Sequence, residues 1–162
     1  MQETGKGRQL QGMAEAHAIR RNAPPPYRGG CLCGAVRYVA AAPTLGARIC
    51  HCATCRAAMA APYLAQAQFP RRAVSWEGTT ARWRSSDRLY RHFCPRCGTR
   101  LFLEPRDAPR LGIPLATLDD PAAIQPEMHV WTCEALPWAL GPDALPRYPQ
   151  GSPLPYRKPA GA

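Results

Sequence analysis

The chain has 162 residues, of which 46% are hydrophobic and 20% charged, with 19 prolines, 13 glycines and eight cysteines. Its 21 basic and 11 acidic residues give a formal charge of +10. This length suits one domain. The composition excludes a fully disordered chain, a coiled coil and a collagen. No apolar run nears the roughly 18 residues of a membrane helix, so no membrane association is expected.

Residues 1–26 read as a flexible N-terminal arm. They lack the apolar stretch of roughly 7–15 residues that marks a secretory leader, and Pro24-Pro25-Pro26 forms a stiff extended spacer. Short strands are expected over residues 35–40, 47–50 and 63–69, with one or two helical turns over 54–60 stopped by Pro62. Residues 73–76 and 80–84 flank Glu77-Gly78 as a hairpin. Residues 88–93 and 100–103 flank a cysteine knuckle, and 112–116 and 128–133 give two more strands around an Asp119-Asp120-Pro121 turn. The pattern predicts a mostly β domain over residues 27–150. Seven prolines over residues 137–159 predict loop, and residues 151–162 a Pro-rich C-terminal tail.

Seven of the eight cysteines stand in chelate spacing. Without an export signal the expected compartment is the reducing cytoplasm, where clustered cysteines hold metal more often than they form disulfides. In Cys94-Pro-Arg-Cys97-Gly98 two thiolates can bite one tetrahedral ion, and Gly98 supplies the positive φ that turns the chain away. Cys31 and Cys33 would complete the set, since residues i and i+2 of a strand face the same side. Four thiolates close a tetrahedron, which marks a structural zinc.

Cys50, Cys52 and Cys55 offer three ligands within six residues and leave one vertex open, the usual mark of a catalytic zinc. A bland alternative closes that vertex with Cys133 or a histidine. Cys133, in the apolar run His129–Cys133, reads as a buried small hydrophobe, and His129 as a satisfied structural histidine. Three thiolates around zinc sum to a charge of −1. Such an ion activates water poorly but suits a thiol guest, which would lose its proton on binding. Glutathione is an abundant candidate, and residues 71–100 carry eight arginines against Glu77 and Asp87 to receive its carboxylates. Arg56 either offsets the site's charge, meets substrate or makes a structural ion pair. The four tryptophans read as packing residues.

Taken together, residues 28–37 (RGGCLCGAVR), 50–56 (CHCATCR), 84–86 (RSS), 93–102 (FCPRCGTRLF), 116–121 (ATLDDP), 129–131 (HVW) and 145–148 (LPRY) resemble the glutathione-dependent formaldehyde-activating enzymes, the GFA or CENP-V domain family. The resemblance implies a β-tent of small antiparallel sheets organised around zinc. It implies two zinc ions per chain, a structural one on Cys31, Cys33, Cys94 and Cys97 and a catalytic one on Cys50, Cys52 and Cys55. The implied activity is that of a carbon–sulfur lyase condensing glutathione with formaldehyde to S-hydroxymethylglutathione. Leu32 and Ala53 depart from the family, where histidine and serine are frequent. The alternative expectation is a non-catalytic zinc module whose charge attracts nucleic acid or another polyanion. Scattered basic residues without a reading helix make nucleic acid the lesser expectation.

Overall fold

A computed structural model describes residues 22–152 and 155–158. Its strands form two sheets. The smaller is antiparallel and joins β1 (Tyr27–Gly30), β2 (Arg37–Ala40) and β5 (Val74–Glu77) in the order β1-β2-β5. The larger has eight strands. They are β3 (Gly46–Cys50), β4 (Leu64–Pro70), β6 (Ala81–Ser86), β7 (Leu89–Phe93), β8 (Arg100–Pro105), β9 (Arg110–Pro114), β10 (His129–Val130) and β11 (Arg147–Tyr148). Their order is β11-β10-β3-β4-β9-β8-β7-β6. Among the described residues the one α-helix is α1 (Ala53–Met59). It ends where Ala60 turns left-handed at φ 49°, two residues before the expected proline stop.

Alternation sorts each strand between two environments. Tyr38 and Ala40 of β2 point inward, where they meet Ala67 and Phe69 of β4, Phe102 of β8 and Leu111 and Ile113 of β9 in one buried cluster between the sheets. Tyr27 packs on Phe69 with ring centroids 5.6 Å apart, and Tyr38 meets Phe102 edge-on at 5.4 Å. The alternate residues on the opposite face of the large sheet build a second cluster of Cys50, Leu64, Leu103, Met128 and Val130, with Cys55 of α1. The sheet thus has two apolar faces, and the three-cysteine loop lies on the second.

Three expectations change. Residues 73–76 and 80–84 do not form a hairpin: β5 pairs with β2, and β6 with β7. Gly78 does turn the chain, at φ 86°, but a Cβ there would lie 2.0 Å from the Ala35 carbonyl oxygen. The turn therefore folds against the start of β2 and sends the next strand to the other sheet. The sheets are antiparallel save at β10, which runs parallel to both β3 and β11, because the long connection after β9 carries the chain back across the sheet. Lastly, the strand expected over 128–133 is only two residues long. Trp131 adopts a left-handed φ of 60°, and Thr132–Glu134 form a 3-10 turn that leaves Cys133 exposed, not buried.

The tryptophans also divide. Trp76 packs on Phe102 and His92, whereas Trp83 is 59% and Trp138 74% exposed and Trp131 is at the surface. Trp83 stands on the edge strand β6, and Trp131 and Trp138 stand at 3-10 turns. Both ends of the described chain are bonded to the body. Ala23 N–H donates to the Ala123 carbonyl and Arg157 N–H to that of Leu45, while the Arg48 guanidinium stacks 3.7 Å above the Tyr156 ring. Residues 1–21, most of the expected arm, lie outside the described residues. No described helix is long and apolar enough to cross a membrane.

Candidate metal centres

Two turns bring Cys31, Cys33, Cys94 and Cys97 together. The first pair does not sit on a strand as expected. β1 ends at Gly30, and Cys31–Gly34 form a tight turn closed by the Gly34 N–H on the Cys31 carbonyl, with Gly34 at φ 74°. The turn places the Cys31 and Cys33 sulfurs 3.6 Å apart. Between β7 and β8, Gly98 N–H closes onto the Cys94 carbonyl with φ 72°, as its position after the knuckle predicts. The Thr99 hydroxyl joins the knuckles: it accepts from Leu32 N–H at 3.1 Å and lies 3.2 Å from Cys97 Sγ. That contact holds the Cys97 thiol down at about 5. Cys33 and Cys94 sulfurs are 3.8 Å apart.

The second group is built within one stretch. Cys50 ends β3, and Cys52 is the N-cap of α1, its sulfur accepting from Cys55 N–H at 3.4 Å. Cys55 is buried in the first helical turn. Cys50 and Cys52 sulfurs are 3.6 Å apart. Tetrahedral zinc–sulfur bonds of 2.3 Å require sulfurs about 3.8 Å apart. In each group all the sulfurs lie within 4.8 Å of one another, and every cysteine is free. Both donor sets therefore fit a tetrahedral, thiophilic ion such as zinc. Among the described residues no fourth histidine, cysteine or carboxylate joins the trio.

Crowding governs the trio's protons. Hydrogen bonds from Cys50 and Cys55 pull Cys52 down to about 2, while Cys50, whose proton is shared with Cys52 and Cys55 in a buried place, is pushed up.

Arg56 lies on α1, and two arginines of the large sheet lie beside it. Arg56 Nε donates to the His51 carbonyl at 3.1 Å, and Arg100 Nε to that of Ala58 at 3.0 Å. Arg56 thus braces the three-cysteine loop through its backbone rather than through an ion pair. Arg91 of β7 places Nη2 3.5 Å from Cys55 Sγ and is 6% exposed. The sequence reading missed it. Its signal is faint: one arginine whose strand parity (Leu89, Arg91, Phe93) sets it on the thiol face.

His51, between Cys50 and Cys52, is wholly buried. Its Nε2 lies 2.8 Å from His129 Nδ1, and His129 Nε2 lies 3.0 Å from the Asp143 carboxylate. The acceptor-only carboxylate fixes both tautomers: His129 donates to Asp143, so His51 donates to His129. His51 Nδ1 is left buried without a partner. Burial, and then the neighbouring His129, hold His51 below the usual histidine value. His129 is the satisfied structural histidine expected. Asp120 caps the 3-10 turn Pro121–Ala123, and Asp119 pairs with Arg37 at 2.5 Å, so neither approaches the thiols.

Fold and donor sets together define a β protein with two cysteine clusters able to hold metal. Residues 26–134 match the model of the glutathione-dependent formaldehyde-activating enzyme family, and the chain belongs to that family. A Schizosaccharomyces pombe protein described as an uncharacterized lyase is 35% identical over 78 residues, covering 48% of this chain and 57% of that protein. The match thus spans little more than half of that relative. The crystal structure of a Rhodobacter sphaeroides protein superposes with a TM-score of 0.49 at 19% identity, over 75% of this chain and 98% of the other.

Proposed function

We propose that this protein is a zinc-dependent carbon–sulfur lyase-type enzyme acting on a small thiol and its adducts, with the family's condensation of glutathione and formaldehyde as its reaction. The observation that carries this is the trio of Cys50, Cys52 and Cys55, which gathers three sulfurs and finds no fourth protein donor among the described residues. On this reading those three hold a catalytic zinc, and Cys31, Cys33, Cys94 and Cys97 hold a structural one.

Zinc bound by the trio would supply a vertex at which a substrate thiol is held as its thiolate. The chain's own groups do the rest. Arg56 and His51 fix the loop, and the apolar cluster of Leu64, Leu103, Met128 and Val130 keeps water from the inner side of the sulfurs. In the reaction the thiolate sulfur attacks the formaldehyde carbon. The carbon–sulfur bond forms as the carbonyl π bond breaks, and the oxygen takes a proton from solvent. Lyase activity is the reverse. The S. pombe relative's description as a lyase agrees with this class.

The test is exchange spectroscopy by NMR on a glutathione–formaldehyde mixture with zinc-loaded full chain. Exchange between free and adduct formaldehyde should accelerate. An unchanged rate at a measured two zinc ions per chain removes the proposed chemistry.

A second reading, polyanion binding, draws on the outer edge strand β6, where Arg82, Trp83 and Arg84 are all exposed. A gel shift with random DNA at physiological salt tests it, micromolar binding favouring this reading.

A further inference from the structure

We infer that Arg91 selects the charge of the guest at the trio: its buried guanidinium, 3.5 Å from Cys55 Sγ, favours an anionic fourth ligand over a neutral one. The inference rests on the thiol reading above and names the residue that makes thiolates the preferred guests.

Placement comes from register. Arg91 pairs with Trp83 of β6 on one side and Leu103 of β8 on the other. Cross-strand partners share a face, and Leu103 belongs to the cluster holding Cys50 and Cys55. Arg91 therefore projects to the thiol face, while its neighbour His92 packs on Phe102 and Trp76.

Charge supplies the second strand of the argument. A guanidinium carries five N–H donors. Arg91 spends one on the Ser85 hydroxyl, from Nε at 3.2 Å, and one on Cys55. No described carboxylate lies within 4.0 Å of it, although Arg37, Arg71, Arg82, Arg84, Arg88 and Arg157 each have one. A buried cation without a counter-charge is strongly destabilising, and among the described residues the sulfur it touches is that of Cys55, a thiolate once metal is held. Three thiolates and a divalent ion sum to −1, and a thiolate guest raises this to −2. With Arg91 counted these sums become 0 and −1, so its charge attracts the anionic guest. A neutral guest adds no charge and gains nothing from it.

The experiment loads the full chain with cobalt(II) and follows its visible bands during titration with 2-mercaptoethanol or, separately, imidazole. Arg91→Met should weaken thiol binding about tenfold or more and leave imidazole binding within about twofold, with two metal ions still bound. Arg91→Gln is a second neutral side chain should methionine disturb the packing, and Arg91→Lys, which keeps the charge, should hold the thiol-to-imidazole ratio near that of the wild type. Equal losses for thiol and imidazole in folded Arg91→Met overturn this inference alone. A wild-type protein whose cobalt bands respond to no thiol overturns it together with the thiol reading.

Discussion

Removing one sulfur from each metal group separates their roles. Cys33 and Cys94, which meet at 3.8 Å, are 61 residues apart, so an ion on the four-thiolate group closes a loop of roughly 60 residues. By the chain-entropy estimate for cross-links this restricts the unfolded state by about 4 kcal/mol. The trio spans six residues, and the same estimate gives about 2 kcal/mol. A domain of this size has about 5–15 kcal/mol in all. Cys94→Ala should therefore lower the melting temperature by roughly 10 °C or more, and Cys52→Ala by about half of that or less. The assay is a thermal melt by circular dichroism beside metal counting by mass spectrometry. Cys52→Ala should lose one zinc and stay folded at 25 °C. If Cys52→Ala unfolds as readily as Cys94→Ala, the division into a catalytic and a structural ion fails.

Two further outcomes test the scaffold. Gly78→Ala should cost about 1–3 kcal/mol in a denaturant melt, because Gly78 holds a left-handed φ of 86° and the new Cβ would stand 2.0 Å from the Ala35 backbone carbonyl oxygen; an unchanged midpoint would mean that the turn after β5 is loosely packed. Burial acts against Asp143 as an anion, but the hydrogen bonds from His129 and Leu145 N–H outweigh it and hold the carboxyl below its ordinary value. Such a group stabilises the fold above the unfolded carboxylate value of about 4 and loses that contribution as pH falls through the lower, folded value. Asp143→Asn should cost about 1 kcal/mol at pH 7, given a side chain 38% exposed, and progressively less as the pH falls through the lowered folded value. A gap between wild-type and variant melts that does not close in acid refutes this account.

The sequence reveals the two cysteine groups well because their pairing is local: cysteines with one or two residues between them show in spacing alone. It places most strands within a residue or two, since turn signals bound them. What escapes it is distant. The Glu77-Gly78 turn has the residues of a hairpin, and only the close approach of Ala35 decides that the next strand leaves for the other sheet. The parallel placement of β10 depends on a connection whose path no local pattern encodes. Arg91 looks like one of eight arginines in its stretch, and its contact with Cys55 spans 36 residues. The His51–His129 pair spans 78. Both contacts exist only once the eight strands are assembled.

The order in which the ligands occur along the chain has a consequence for biogenesis. The trio is complete once Cys55 has been synthesised, whereas the four-sulfur clasp waits for Cys97. A nascent chain thus presents a three-pronged chelator while most of its large sheet is still unmade. An ion taken up at that early position would precede the closing of the four-sulfur group between the turn after β1 and the knuckle before β8, when the architecture around the trio is still open.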